Sequence, residues 1–133
     1  MKVAISRALL EQIMTLCAGR EAEACGLLLG QADRIEAILP AANVAPDPLR
    51  HFELDPAVLI AAHRAARRGG PAVIGHYHSH PSGVAEPSRT DAESSAPDGS
   101  LWLIVSDGSA RLWRAEPDSA VKARFTEIHL DHE

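Results

Sequence analysis

Ala72-Val73-Ile74-Gly75-His76-Tyr77-His78-Ser79-His80-Pro81, followed after a short gap by Ser88-Arg89-Thr90-Asp91, carries the densest chemical information in the chain. The first part reads as a strand and the second as the start of a short helix capped by Ser88 or Thr90 and running through Ser95. Together they spell His-x-His-x7-Ser-x-x-Asp. Two neutral imidazoles and one carboxylate are the ligand set of a catalytic zinc, which takes three protein ligands and keeps its fourth position open. With 7 His in 133 residues, this four-residue pattern arises by accident in roughly one or two chains per thousand.

The geometry of a strand supports the same reading. Residues two apart share a face, with Cα atoms about 6.6–6.8 Å apart, so His78 and His80 lean toward one ion at about 2.0–2.1 Å per Zn–N bond. Pro81 ends the strand by withdrawing a ladder donor. The loop over residues 81–87 is long enough to return Asp91, in the first turn of the next helix, to the same point, and residues 83–87 form its natural mobile part. His76 shares the histidine face but lies roughly 13 Å along the strand from His80, which gives it a supporting role rather than a ligand's. Ser79 faces away from the metal and is assigned to structure.

Outward from this stretch the chain alternates helices and strands. Ser6 caps an amphipathic helix over residues 6–19, in which Ala8, Leu9, Ile13, Met14 and Leu16 recur at helical spacing. Gly26-Leu27-Leu28-Leu29-Gly30 is a buried strand. A turn at residues 31–33 joins it to a second strand over 34–44. Pro46 and Pro48 mark a loop, and residues 51–54 a brief extended piece. Asp55-Pro56 opens a helix that ends near Arg68. Residues 101–106 form a buried strand, Asp107-Gly108 a hairpin turn into 110–114, and residues 121–130 a closing strand. Two helices around a mixed, mostly antiparallel sheet make an α/β or α+β layered domain.

Bulk properties narrow the function. A chain of 133 residues with 46% hydrophobic and 23% charged residues reads as a single domain over 1–133 with an ordinary core. A net charge of −5 offers no basic excess for nucleic acid. Met1-Lys2-Val3-Ala4-Ile5 lacks a signal-peptide core and no apolar run reaches a membrane span. Cys17 and Cys25 make no disulfide framework, which points to a reducing cytoplasm. Abundant Ala, Arg and Pro suggest a GC-rich bacterial genome. The basic end of the second helix, with His63, Arg64, Arg67 and Arg68, suits the helix dipole, a docking patch for an acidic carrier being the other reading. Trp102 and Trp113 are core or sheet-face anchors.

The segments Glu23-Ala24-Cys25-Gly26-Leu27-Leu28-Leu29-Gly30, Gly75-His76-Tyr77-His78-Ser79-His80-Pro81 and Ser88-Arg89-Thr90-Asp91 resemble the JAMM (MPN+) metalloprotease family in order, spacing and context. The resemblance implies a cytidine-deaminase-like α/β fold and one zinc per chain. It implies an isopeptidase or peptidase acting after the C-terminal tail of ubiquitin or a ubiquitin-like protein. The zinc deaminase signature, His-x-Glu with Pro-Cys-x-x-Cys, is absent.

By residue chemistry alone, Glu21 and Glu23 are equal candidates for the general base that must take a proton and deliver it to the leaving amine. The resemblance selects Glu23, two residues before Cys25-Gly26. It makes Ser88 the donor to the oxyanion, a role compatible with capping a helix. Cys25 reads as a small core residue. The chain lacks the two insertions of eukaryotic deubiquitinases, so it is more similar to compact, free-standing bacterial members. Those act on sulfur carriers or ubiquitin-like modifiers whose flexible Gly-Gly tail docks as an added strand. The competing readings are a non-catalytic MPN-type interaction module, which ordinarily lacks the metal ligands, and a domain similar to RadC-type proteins.

Overall fold

The computed structural model of the chain describes residues 1–117 and 124–132. Over these residues the elements are β1 (Lys2–Ile5), α1 (Arg7–Cys17), β2 (Cys25–Gln31), β3 (Arg34–Ala41), α2 (Pro56–Arg67), β4 (Ala72–Ser79), α3 (Arg89–Ser94), β5 (Leu101–Ser106), β6 (Ser109–Ala115) and β7 (Phe125–His132). None of the described helices is long and apolar enough to cross a membrane.

Both long helices begin where capping chemistry places them. Ser6 Oγ accepts the Leu9 N–H at 3.1 Å, and Asp55 accepts the Ala57 N–H at 3.0 Å with Pro56 in the first turn. Each bond satisfies a donor that a helix start otherwise leaves orphaned. Arg64 and Arg67 lie in the last turn of α2, where the dipole favours cations.

The sheet runs in the order β1-β3-β2-β4-β5-β6-β7 and closes because β7 pairs with β1. The pairs β2–β3, β2–β4, β5–β6 and β6–β7 are antiparallel, while β1–β3, β1–β7 and β4–β5 are parallel. The expected mixed α/β sheet is therefore present, but its closure was not anticipated. The reason is β1, a four-residue strand to which the sequence reading assigned no element. Its partners are distant in sequence and it has no hairpin turn to announce it, although Val3 and Ile5 are fully buried.

Two further boundaries move. The second strand stops at Ala41 rather than 44, and the extended piece at 51–54 reduces to one bridge, Asn43 to Leu54. Of the closing strand expected at 121–130, residues 121–123 lie outside the described residues, and the strand runs on to His132.

β5 is buried along its whole length and divides its side chains by strand alternation. Leu101, Leu103 and Val105 join Tyr77, Leu28 and the α1 residues Ile13 and Cys17 in one cluster, while Trp102 packs with Phe52, Trp113 and Phe125 in another. β4 divides in the same way. Tyr77 goes to the α1 cluster, and His76 and His78 lie against Phe52 and Trp102. The alternation thus sets the histidine face opposite the α1 core. Gly26 on β2 is required by this packing, because a Cβ there would run into the Tyr77 ring.

Candidate metal centre and active site

His78 lies on β4, His80 just beyond its end and Asp91 in the first turn of α3. The structure brings all three to one point. His78 Nε2 is 3.0 Å from His80 Nε2 and 3.2 Å from Asp91 Oδ2, and His80 Nε2 is 3.1 Å from the same oxygen. A tetrahedral ion with bonds of about 2.0–2.1 Å spaces its donors about 3.3 Å apart, so the triangle fits a metal face. The donor chemistry is compatible with one: two ring nitrogens face each other across 3.0 Å beside a carboxylate oxygen. A Glu23 carboxylate oxygen and the ring nitrogens of His78 and His80 also lie within 4.8 Å of one another. This Glu/His/His cluster is compatible with a metal ion.

The surroundings orient each group. His80 Nδ1–H donates to the Val84 carbonyl at 2.8 Å, which fixes the tautomer and leaves the Nε2 lone pair facing the triangle. The His78 ring stacks on Phe52, with centroids 4.2 Å apart and planes at 18°. Ser88 caps α3: its Oγ accepts the Asp91 N–H at 3.0 Å, and its own N–H donates to Asp91 Oδ2 at 2.9 Å. The oxygen that faces the histidines is thereby fixed from behind. Because Ser88 Oγ acts as an acceptor in the cap, its proton is free to donate elsewhere.

The loop over 81–87, of which residues 83–87 were expected to be the mobile part, is tied at four places. Val84 O accepts from His80, and Ala85 O accepts from Trp113 Nε1 at 3.0 Å. Gly83 O accepts from Ser106 Oγ, which also donates to His80 O at 2.9 Å. Glu86 pairs with Arg111, 2.9 Å away.

Glu23 is 6% exposed whereas Glu21 is exposed, which separates the two candidates for the base. The Glu23 N–H donates to Pro48 O at 2.7 Å. Next to it, Ala24 N–H donates to Ser79 Oγ at 2.8 Å and Ala24 O accepts from Ser79 N–H at 3.0 Å. Ser79 therefore does face away from the histidines, and it clips the Glu23 segment to β4.

Electrostatics sort the groups by role. Burial pushes the Glu23 carboxyl up to about 7; His80 opposes this and Asp91 adds to it. Burial also pushes up on Asp91, but hydrogen bonds from His78 and His80 outweigh it and hold the carboxyl well below the usual range. Burial drives His78 down, toward the neutral imidazole that a metal needs. Burial raises both Cys17 and Cys25 to about 11, so neither is a nucleophile at neutral pH; both are free and buried.

His76 stays out of the cluster and packs between Phe52 and Trp102, with centroids 4.9 and 4.4 Å away. Sequence reasoning missed Asn43, Phe52 and Ser106 as organisers of the site. Nothing local marks them, since each acts on a segment far away in the chain.

Glu23, His80 and Ser88 line one cleft of about 370 Å³, with Leu49 and Val84 on its walls. Comparison with known proteins agrees with this geometry. Residues 6–116 match the family model described as prokaryotic homologs of the JAB domain. The chain is 38% identical over 100 residues to a desampylase of Haloferax volcanii, covering 71% of this chain and 72% of that one. It is 41% identical over 69 residues to a probable TtuB-protein conjugate cleaving protease of Thermus thermophilus, covering 52% and 46%. In fold it is similar to a JAB1/MPN domain protein of Archaeoglobus fulgidus, with a TM-score of 0.58, 22% identity and 97% of both chains covered. The chain belongs to the prokaryotic JAB (JAMM/MPN+) family and is a JAMM-type hydrolase.

Proposed function

We propose that this chain is a zinc-dependent isopeptidase that cleaves the amide bond after the C-terminal Gly-Gly tail of a ubiquitin-like or sulfur-carrier protein. One observation carries the reading: three donor atoms 3.0–3.2 Å apart stand beside a buried carboxylate in an open cleft. The names of the two relatives, a desampylase and a conjugate-cleaving protease, support the substrate class.

In this reading His78, His80 and Asp91 would hold one zinc. When bound, the ion supplies Lewis acidity, lowering the pKa of a water toward neutrality and polarising the scissile carbonyl. Glu23 takes a proton from the attacking water as its oxygen bonds to the carbonyl carbon. Glu23 then gives that proton to the nitrogen as the C–N bond breaks. The second proton of the water passes from the new carboxyl group to the amine, leaving a carboxylate on the tail and an ammonium on the released group. A carboxyl near 7 suits both halves of that transfer at neutral pH. The Ser88 hydroxyl donates to the carbonyl oxygen as it becomes anionic. Glycines in the tail let its backbone pass close between Leu49 and Val84.

The test is zinc content measured together with cleavage of carrier C-terminal fusions, with and without a chelator. One zinc per chain and chelator-sensitive cleavage after Gly-Gly are expected. A chain that takes up no zinc, or cleaves equally well in chelator, overturns the reading.

A further inference from the structure

Glu23 belongs to no helix or strand, since β2 begins at Cys25. A base on an irregular segment needs its position fixed from elsewhere. One side of that fixing is Ser79, between the two histidines. The other is the carbonyl of Glu23 itself, which accepts from Asn43 Nδ2 at 2.9 Å.

Asn43 uses both ends of its amide. Nδ2 also donates to His51 O at 2.9 Å and reaches Pro48 O at 3.4 Å, the same carbonyl that receives the Glu23 N–H. Oδ1 accepts from Ala45 N–H and Glu53 N–H, both at 3.0 Å. The loop so organised carries Phe52, whose ring lies on His78. One side chain thus joins the carboxylate-bearing segment to the ring that holds a histidine of the triangle.

We infer that Asn43 is a positioning residue that sets Glu23 against the metal-binding face. The inference rests on the proposed function for the role of Glu23. It separates from an ordinary turn-forming role by the two ends of the amide. An Asx turn needs only the acceptor, Oδ1 to Ala45 N–H, and Asp supplies that as well as Asn. The donors to the Glu23 and His51 carbonyls are what Asp lacks.

Asn43→Asp is therefore the decisive variant, with Asn43→Ala beside it. The measurements are zinc content, kcat and KM on a Gly-Gly tail fusion, and amide hydrogen exchange. Asn43→Asp is expected to hold zinc as the wild type does and to keep KM within about threefold. Its kcat should fall about 10- to 100-fold, the loss typical of a catalytic group displaced by an ångström or less. The Glu23 amide should exchange at least about tenfold faster while that of Leu103 in β5 is unchanged, the mark of a local opening. If Asn43→Ala does not fold, Asn43→Asp alone carries the test, because it keeps the turn. A kcat within twofold of wild type, a kcat loss that merely follows zinc loss, or unaltered exchange at Glu23 overturns the inference. Should the wild type cleave no tail fusion, the proposed function falls, and exchange at Glu23 still decides whether the clamp exists.

Discussion

His78, His80 and Asp91 come from one strand, one loop and the first turn of one short helix, whereas Glu23 reaches the same point from before β2 and is held by residues of the β3–α2 loop and β4. The first group is fixed largely by regular structure: β4 places His78, the Val84 carbonyl orients His80 just beyond its end, and a capping box aims the carboxylate. The second is fixed by hydrogen bonds on its backbone. In the proposed function, metal capture and proton transfer are thus built by different means, and they should fail separately.

The largest effect is expected from Asp91→Ala. It removes the oxygen shared by both histidines and by the Ser88 N–H, so metal content and hydrolysis should both vanish, read by elemental analysis and turnover. Metal retention at wild-type level would move the ligand role elsewhere. Next, Glu23→Gln should keep full metal while kcat drops about 10²–10⁴-fold, the span of a lost general acid–base. Normal cleavage by this variant would break the assignment of the base. Ser88→Ala should lower kcat about 10²–10³-fold through the lost oxyanion donor. It should also cost about 1 kcal/mol of stability through the lost cap, measured by urea unfolding; a stability loss with unchanged kcat would leave Ser88 a cap only.

The remaining prediction concerns stability against pH rather than activity. Burial lowers His76 to about 3, so between there and its ordinary value near 6.5 the unfolded chain binds a proton that the folded chain refuses. Stability present above about pH 6.5 is therefore lost as pH falls toward 3, with a slope of at most about 1.4 kcal/mol per pH unit from this group. His78, lowered by the same burial, acts in the same direction. His76→Phe should flatten the dependence between pH 7 and 5 in urea midpoints. An unchanged slope would place the acid sensitivity elsewhere.

The same contrast explains what was legible in the sequence. The spacing of His78, His80, Ser88 and Asp91 carries its own geometry, because a strand, a turn and a capped helix are local objects. Glu23 and Glu21 were indistinguishable by chemistry, and only the resemblance chose between them. What separates them physically is burial, on a segment whose backbone is bonded to Pro48 and Asn43, residues that no periodicity connects to Glu23. β1 escaped for a related reason: a parallel strand carries no turn signal, and its partners β3 and β7 stand far off in the chain. The 81–87 loop looked free because its composition is that of a loop. Its ties run to Ser106, Arg111 and Trp113, on β5 and β6.

Trp102 stands edge-on to His76 at 4.4 Å and 5.8 Å from the His78 ring, and the only other indole in the chain is Trp113. The molecule therefore carries an optical gauge beside the proposed metal-binding face. Titration with cobalt, whose partly filled d shell quenches indole emission at short range, should dim Trp102 in step with occupancy. Trp102→Phe should leave a signal from Trp113 that responds less, so loading can be followed continuously in a cuvette without a substrate.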